Sequence, residues 1–237
     1  MTLAELRRQI HAQSNPAQAA VLQGFFKTGL GQYGEGDRFL GLKVPQTRAF
    51  LPMTDALQEA EVRALLHSEW HEERLLALFI WIRRFERARK DEAAREAIVQ
   101  QYLENTRWIN NWDLVDTSAP PILGVWLLPR NRAVLRQLAE SGHLWEERIA
   151  VLATLTFIRA GEFADTQALA EHFLSHKHDL MHKACGWMLR EMGKRDTATL
   201  RSFLDKNSTR MPRTMLRYAI EKLDAAERRH YLGQGPA

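Results

Sequence analysis

Trp112 and Asp116 stand four residues apart, so a helix through them sets an indole and a carboxylate on one face. An ionised aspartate is costly to bury without a partner, which makes the pair unusual for a plain core and suited to a ligand-facing surface. Trp112 taken alone reads first as a core tryptophan. Asp113 points about 100° away from Trp112 and reads as a helix–helix contact. Trp187 follows Gly186, whose missing side chain lets a backbone or a ligand approach closely. The indole face is the best aromatic surface for a cation, so a cationic ligand between Trp112 and Trp187, with Asp116 beside it, is physically coherent. Core packing is the alternative for Trp187 too. Arg148 carries the planar fork that suits phosphate, although an ion pair with Glu146 or Glu147 is the commoner use of such an arginine. Lys183, Arg190, Lys194, Arg195, Lys206, Arg210, Arg213 and Arg217 add cations suited to non-specific phosphate contacts.

Other reactive residue types point to less. His172, His176, His178 and His182 include two pairs at metal-binding spacing, but no HExxH motif and no well-placed carboxylate accompany them, so no metal site is expected. Cys185 lies in an apolar helical stretch and reads as inert. No nucleophile-elbow motif occurs.

The elements that must position these residues are helices. Leu, Ala, Ile and Val recur at helical spacing, whereas alternating β-branched segments are nearly absent. Thr2 with Glu5 makes a capping box, and Asn15-Pro16 sets a cap residue before proline at a first helical position. Further helices are predicted near 45–52, 55–67, 70–88, 91–105, 107–118, 131–141, 144–160, 163–175, 178–194, 197–206 and 211–230, with Gly142, Gly161 and Gly193 as terminators. The segment 29–42 holds five glycines without a phosphate-cradling consensus, and reads as a connector.

The chain also resembles itself. Glu73-Arg74-Leu75-Leu76-Ala77-Leu78 matches Glu147-Arg148-Ile149-Ala150-Val151-Leu152 at an offset of 74, half of which lands on Asn111, and Lys183 lies 35 residues beyond Arg148. Such a period predicts an all-α, curved solenoid of HEAT-like repeats, antiparallel helix pairs with a concave groove, as a single domain over 1–237. In that register Arg148, Lys183, Trp112, Trp187 and Asp116 share a sector of about 140° on successive inner helices. The first repeat puts Leu75, Leu78 and Phe79 there instead, so that face is expected to be buried.

Composition excludes several classes. With 45% hydrophobic and 26% charged residues in 237, the chain has the apolar content for a core and is not a disordered protein. No apolar run is long enough to span a membrane, and the N-terminus reads directly into an amphipathic helix. One cysteine allows no internal disulfide, so the cytoplasm is the expected compartment. The net charge of +4 is uneven: residues from Lys177 onward carry 13 Lys/Arg against 7 Asp/Glu, and the remainder is net −2. A basic final quarter suits an acidic partner such as nucleic acid, although solvated helix faces would scatter charge similarly.

Three segments carry a family resemblance: Asn111-Trp112-Asp113-Leu114-Val115-Asp116, Leu144-Trp145-Glu146-Glu147-Arg148, and Lys183-Ala184-Cys185-Gly186-Trp187-Met188-Leu189-Arg190-Glu191. With them the chain resembles bacterial DNA alkylation repair proteins of the AlkD family, colinearly over most of its length. The resemblance implies a HEAT-like DNA glycosylase that releases cationic N3- and N7-alkylated purines from duplex DNA in base excision repair. It implies Asp116 as the catalytic carboxylate, Trp112 and Trp187 as aromatic walls, and Arg148 as a phosphate-positioning cation. It also places Phe25, in Gly24-Phe25-Phe26-Lys27, near an aromatic groove position; with DNA as the partner, Lys183 and Arg190 of the basic set above are expected DNA contacts. No metal or organic cofactor is implied. The expected partner is double-stranded DNA containing alkylated purines, engaged by a monomer with no membrane or obligate protein partner, in a bacterial cytoplasm at the nucleoid. A non-catalytic protein binding unusual or branched DNA, and a HEAT-type peptide scaffold, are the competing readings.

Overall fold

Thr2 opens α1 (Leu3–Ala12) with a reciprocal capping box, its hydroxyl accepting the Glu5 N–H and the Glu5 carboxylate accepting the Thr2 N–H. Asn15 caps α2 (Pro16–Phe25), whose first residue is the expected proline. The computed structural model describes residues 1–234, and among these every regular element is helical apart from one isolated bridge between Arg38 and Trp70. The chain divides into two compact units, Met1–Ser118 and Ala119 onward.

In the first unit, a loop after α2 leads to α3 (Val44–Ala49), α4 (Glu59–Leu66), α5 (His71–Arg87), α6 (Glu92–Glu104) and α7 (Trp112–Ser118). The central helix is α5, packed against α3, α4, α6 and α7. Its apolar residues Leu75, Leu76, Leu78, Phe79 and Trp81 are buried, as the repeat register requires for Leu75, Leu78 and Phe79. The predicted helix over 107–118 is interrupted. A 3-10 turn, Thr106–Trp108, ends before Asn111, whose side-chain oxygen accepts the Trp112 N–H and starts α7 afresh.

The second unit begins with a π turn (Pro120–Gly124), where consecutive prolines remove two backbone donors, and a short α8 (Val125–Leu127). There follow α9 (Ala133–Ala139), α10 (Leu144–Arg159), α11 (Ala164–His172), α12 (Asp179–Arg195), α13 (Thr197–Asn207), α14 (Arg213–Ala219) and α15 (Ala225–Gln234). Helix α10 packs on α9, α11 and α12, and α12 on α13 and α14, so neighbouring pairs bury one another's apolar faces. Gly142 and Gly161 take the left-handed conformation at helix ends, with φ of 70° and 84°. Gly193 differs from its reading as a terminator: it lies inside α12, where an added Cβ would come within 2.4 Å of Leu200. The helix predicted over 211–230 is two, because Asp224 turns the chain and caps α15 through the Ala226 and Glu227 N–H groups. No helix among the described residues is long and apolar enough to cross a membrane.

Candidate functional site

Helix α5 begins with four polar residues, His71, Glu72, Glu73 and Arg74, all buried. Buried charges require partners, and each residue here has them. Glu73 receives the Arg7 Nε–H at 3.0 Å and lies 2.8 Å from His11 Nε2, which docks α1. Glu72 accepts three successive backbone N–H groups, from Leu40, Gly41 and Leu42, at 2.9, 2.8 and 3.1 Å. The loop read as a connector is therefore pinned to the start of α5, with Phe39, Leu40 and Leu42 buried.

His71 and Arg74 meet the same loop at Asp37. The His71 ring lies between two carboxylates, Nδ1 at 3.1 Å from Asp37 and Nε2 at 2.8 Å from Asp113 of α7. Arg74 donates to the other Asp37 oxygen and to the Ser68 carbonyl. Asn111 donates to Asp37 at 3.1 Å while its oxygen caps Trp112. Gly34 lets the loop close over this cluster, since a Cβ there would sit 2.4 Å from the Phe26 carbonyl and 3.3 Å from the Asn111 amide. Burial pulls the His71 pKa down, but the Asp113 charge and the hydrogen bonds to Asp113 and Asp37 outweigh it and push the value up to about 9. Burial likewise pushes Asp37 up, and the His71 hydrogen bond with the Arg74 charge brings it net below its ordinary value.

Above this cluster lies a stack of rings. Phe39 is parallel to His71 at 4.5 Å, Phe26 stacks on Phe39 at 5.0 Å, and Trp112 stacks on Phe26 at 5.1 Å. Phe25 meets the Trp112 ring edge-on at 5.8 Å and is 61% exposed. The structure thus brings Phe25 and Trp112 together, and sets Asp116 one turn along α7 from Trp112. Trp112 and Asp116 are both half-buried. The carboxylate of Asp116 acts on the buried Tyr102 hydroxyl, which also bonds Ser118 at 2.9 Å; burial chiefly, with Asp116 adding, raises the Tyr102 pKa. Asp113 is the helix–helix contact its direction predicts.

In the second unit α10 repeats the α5 pattern. Glu147 lies 3.0 Å from His176, and Arg148, only 4% exposed, donates to the Leu180 carbonyl at 2.6 Å at the start of α12. Trp187 is half-buried on α12, its Nε1–H donating to Glu191 at 3.1 Å, and Gly186 beside it packs on the Met215 carbonyl and the Tyr218 Cβ. Lys183 pairs with Asp179 at 2.8 Å, and Arg190 pairs with Glu221 and lies 3.6 Å from Glu191. The histidine cluster is structural in its contacts: His176 Nδ1 accepts the His178 N–H, and His178 Nδ1 accepts the Leu180 N–H. No group of three potential metal ligands occurs among the described residues.

A sequence model of the DNA alkylation repair enzyme family matches residues 6–223. The chain belongs to the DNA alkylation repair enzyme family. A comparison with curated proteins finds no match. A solved structure, a predicted DNA alkylation repair enzyme from Enterococcus faecalis, superposes with a TM-score of 0.71 at 16% identity, covering 90% of this chain and 98% of that one. That likeness shows a shared fold. The family match spans the α5 polar cluster, α7, and the α10 and α12 segments. Trp112 and Asp116 are singled out by their spacing in the sequence and Phe25 by the family resemblance, whereas Asp37, His71, Arg74, Phe26 and Phe39 are not. The signal available for the missed set was the unbroken polar run His71-Glu72-Glu73-Arg74 at the head of an otherwise apolar helix.

Proposed function

We propose that this member of the DNA alkylation repair enzyme family is a monofunctional DNA N-glycosylase that releases N3- and N7-alkylated purines from duplex DNA. The observation that carries the proposal is the arrangement on α7: a half-buried indole stacked on Phe26 and edged by the exposed Phe25, with a carboxylate one helical turn away. Alkylation at N3 or N7 gives the purine a positive charge, so it departs without protonation by a general acid. Breaking the glycosidic bond builds oxocarbenium-like charge on the deoxyribose. Asp116 stabilises that charge and orients the attacking water. Trp112 offers a π face to the cationic base, a contact worth about 0.5–2 kcal/mol depending on desolvation. From the second unit Trp187 serves as a further aromatic contact and Lys183 and Arg190 contact the DNA backbone, whereas Arg148, 4% exposed and bonded to the Leu180 carbonyl, acts by holding the start of α12 rather than by touching a phosphate. The protein acts as a monomer, and the chemistry calls for no metal or organic cofactor.

The test is base release from methylated duplex DNA by wild type and by Asp116→Asn. The variant is expected to bind the duplex within about threefold of wild type and to release 7-methylguanine at least a hundredfold more slowly. Release at the wild-type rate by the variant refutes the role of Asp116. Tight binding to branched duplexes, with no release by wild type, points instead to a non-catalytic DNA-binding protein.

A further inference from the structure

The Asp37–His71–Asp113 array is more elaborate than a helix contact needs. Three segments contribute to it: the loop after α2 gives Asp37, α5 gives His71 and Arg74, and α7 with its cap gives Asn111 and Asp113. His71 is 2% exposed, and both its ring nitrogens face carboxylate oxygens. Ionised carboxylates only accept, so both nitrogens must carry hydrogens and the ring must be an imidazolium. The same ring is the base of the stack that runs through Phe39 and Phe26 to Trp112. His71 therefore reaches α7 by two routes, directly through the Asp113 hydrogen bond and indirectly through the Phe39 and Phe26 rings that support Trp112.

We propose that His71, held as an imidazolium between Asp37 and Asp113, is the positioning residue that sets α7 so that Trp112 and Asp116 meet the substrate. The proposal rests on the glycosylase reading above. His71 touches no reacting atom. It acts through Asp113, which is the next residue after Trp112 and three before Asp116 on α7. The charged groups facing the ring are Asp37, Asp113 and Arg74, two negative and one positive, so the imidazolium makes the cluster neutral. Loss of its proton leaves one carboxylate facing a ring lone pair and the cluster with a net negative charge, so the Asp113–His71 bond that fixes α7 to α5 either breaks or loses its charge assistance.

Base release by wild type, corrected for spontaneous base loss and for alkaline ring opening of the 7-methylguanine in enzyme-free controls, is then expected to hold steady from pH 7 and to fall at least tenfold through a limb near pH 9. In Asp113→Asn the His71 ring loses its nearest charge, and the limb is expected to move at least one pH unit lower. In His71→Gln the limb is expected to vanish, with release at pH 7.5 at least tenfold below wild type and duplex binding within about threefold. If His71→Gln does not fold, Asp113→Asn alone decides the matter. A limb unmoved in Asp113→Asn, or a wild-type rate in folded His71→Gln, overturns the proposal.

A second readout does not depend on turnover. Ring-nitrogen NMR of His71 and indole NMR of Trp112, followed from pH 6 to 10 on the full chain, are expected to titrate together. A Trp112 indole signal that stays fixed while His71 titrates overturns the positioning role. Wild type that releases no base at any pH, with the two signals still titrating together, defeats the glycosylase reading and leaves the coupling of His71 to Trp112 standing.

Discussion

Removing the Glu72 carboxylate tests whether the glycine-rich loop is held where the structure places it. Its Oε1 accepts from Gly41 and Leu42 at 2.8 and 3.1 Å, and its Oε2 accepts from Leu40 at 2.9 Å. All of these groups are buried, so Glu72→Ala strands three donors. A buried donor without a partner costs about 1–3 kcal/mol, and water entering the vacated space recovers part of that. Relief from burying a charge offsets a further part. A net loss of about 3–5 kcal/mol follows, which lowers the Tm by roughly 10 °C for a chain of this size. Glu72→Gln separates geometry from charge. A Gln with its oxygen at the Oε1 site keeps the Gly41 and Leu42 bonds but sets its own N–H against that of Leu40, a loss of about 2 kcal/mol. The assay is thermal and urea unfolding by circular dichroism, with amide hydrogen exchange at Leu40, Gly41 and Leu42. A Glu72→Ala variant that melts within about 1 °C of wild type, or that keeps wild-type protection at those three amides, shows that Glu72 does not pin the loop.

Three further predictions follow from buried contacts. Gly186→Ala sets a Cβ 2.5 Å from the Met215 carbonyl and 2.6 Å from the Tyr218 Cβ, so α12 and α14 must separate; a loss of about 2–3 kcal/mol in urea unfolding is expected, and a neutral result refutes the close packing. His71 has a folded pKa of about 9 against an ordinary 6.5, so its stabilisation is full below pH 6.5 and lost as pH rises through 9. That amounts to about 3 kcal/mol, read as the difference in unfolding free energy between wild type and His71→Gln, and a difference unchanged from pH 6 to pH 10 contradicts it. Cys185 is buried, and burial pushes its pKa up to about 12, so a thiol reagent at pH 8 should label it only in denaturant; rapid labelling of the native protein is the contrary result.

Much of the fold was legible because helix periodicity and end signals are local. The Thr2 box, the Asn15-Pro16 start and the buried face of α5 all follow from residues within one or two turns of one another. What escaped the reading depends on contacts distant in sequence. Asn111 starts α7 because it also reaches Asp37, 74 residues away, and no local pattern announces that. The glycine-rich segment resembles a plain connector because its anchors, Glu72 and His71, lie on a different element. Gly193 has the residue type of a helix end, yet its place is decided by Leu200 on the next helix. The candidate site divides the same way. The i, i+4 relation of Trp112 and Asp116 is visible in the sequence, whereas the rings beneath Trp112 come from a loop and a neighbouring helix.

The Glu–Arg head shared by α5 and α10 bears on how a chain of similar helices avoids mispairing. Leu- and Ala-rich faces are nearly interchangeable, and a slip by one turn or an exchange of partners would forfeit little apolar burial. Glu73 with His11, and Glu147 with His176, make each such error expensive, because a displaced helix carries an unmatched carboxylate into a dry seam. The heads also differ in one place: His71 stands where α10 has Trp145. A swapped α10 would still offer Arg148 to Asp37, but it would bring no imidazolium to lie between Asp37 and Asp113. The shared letters set the depth to which each helix seats, and the unshared one tells the two helices apart.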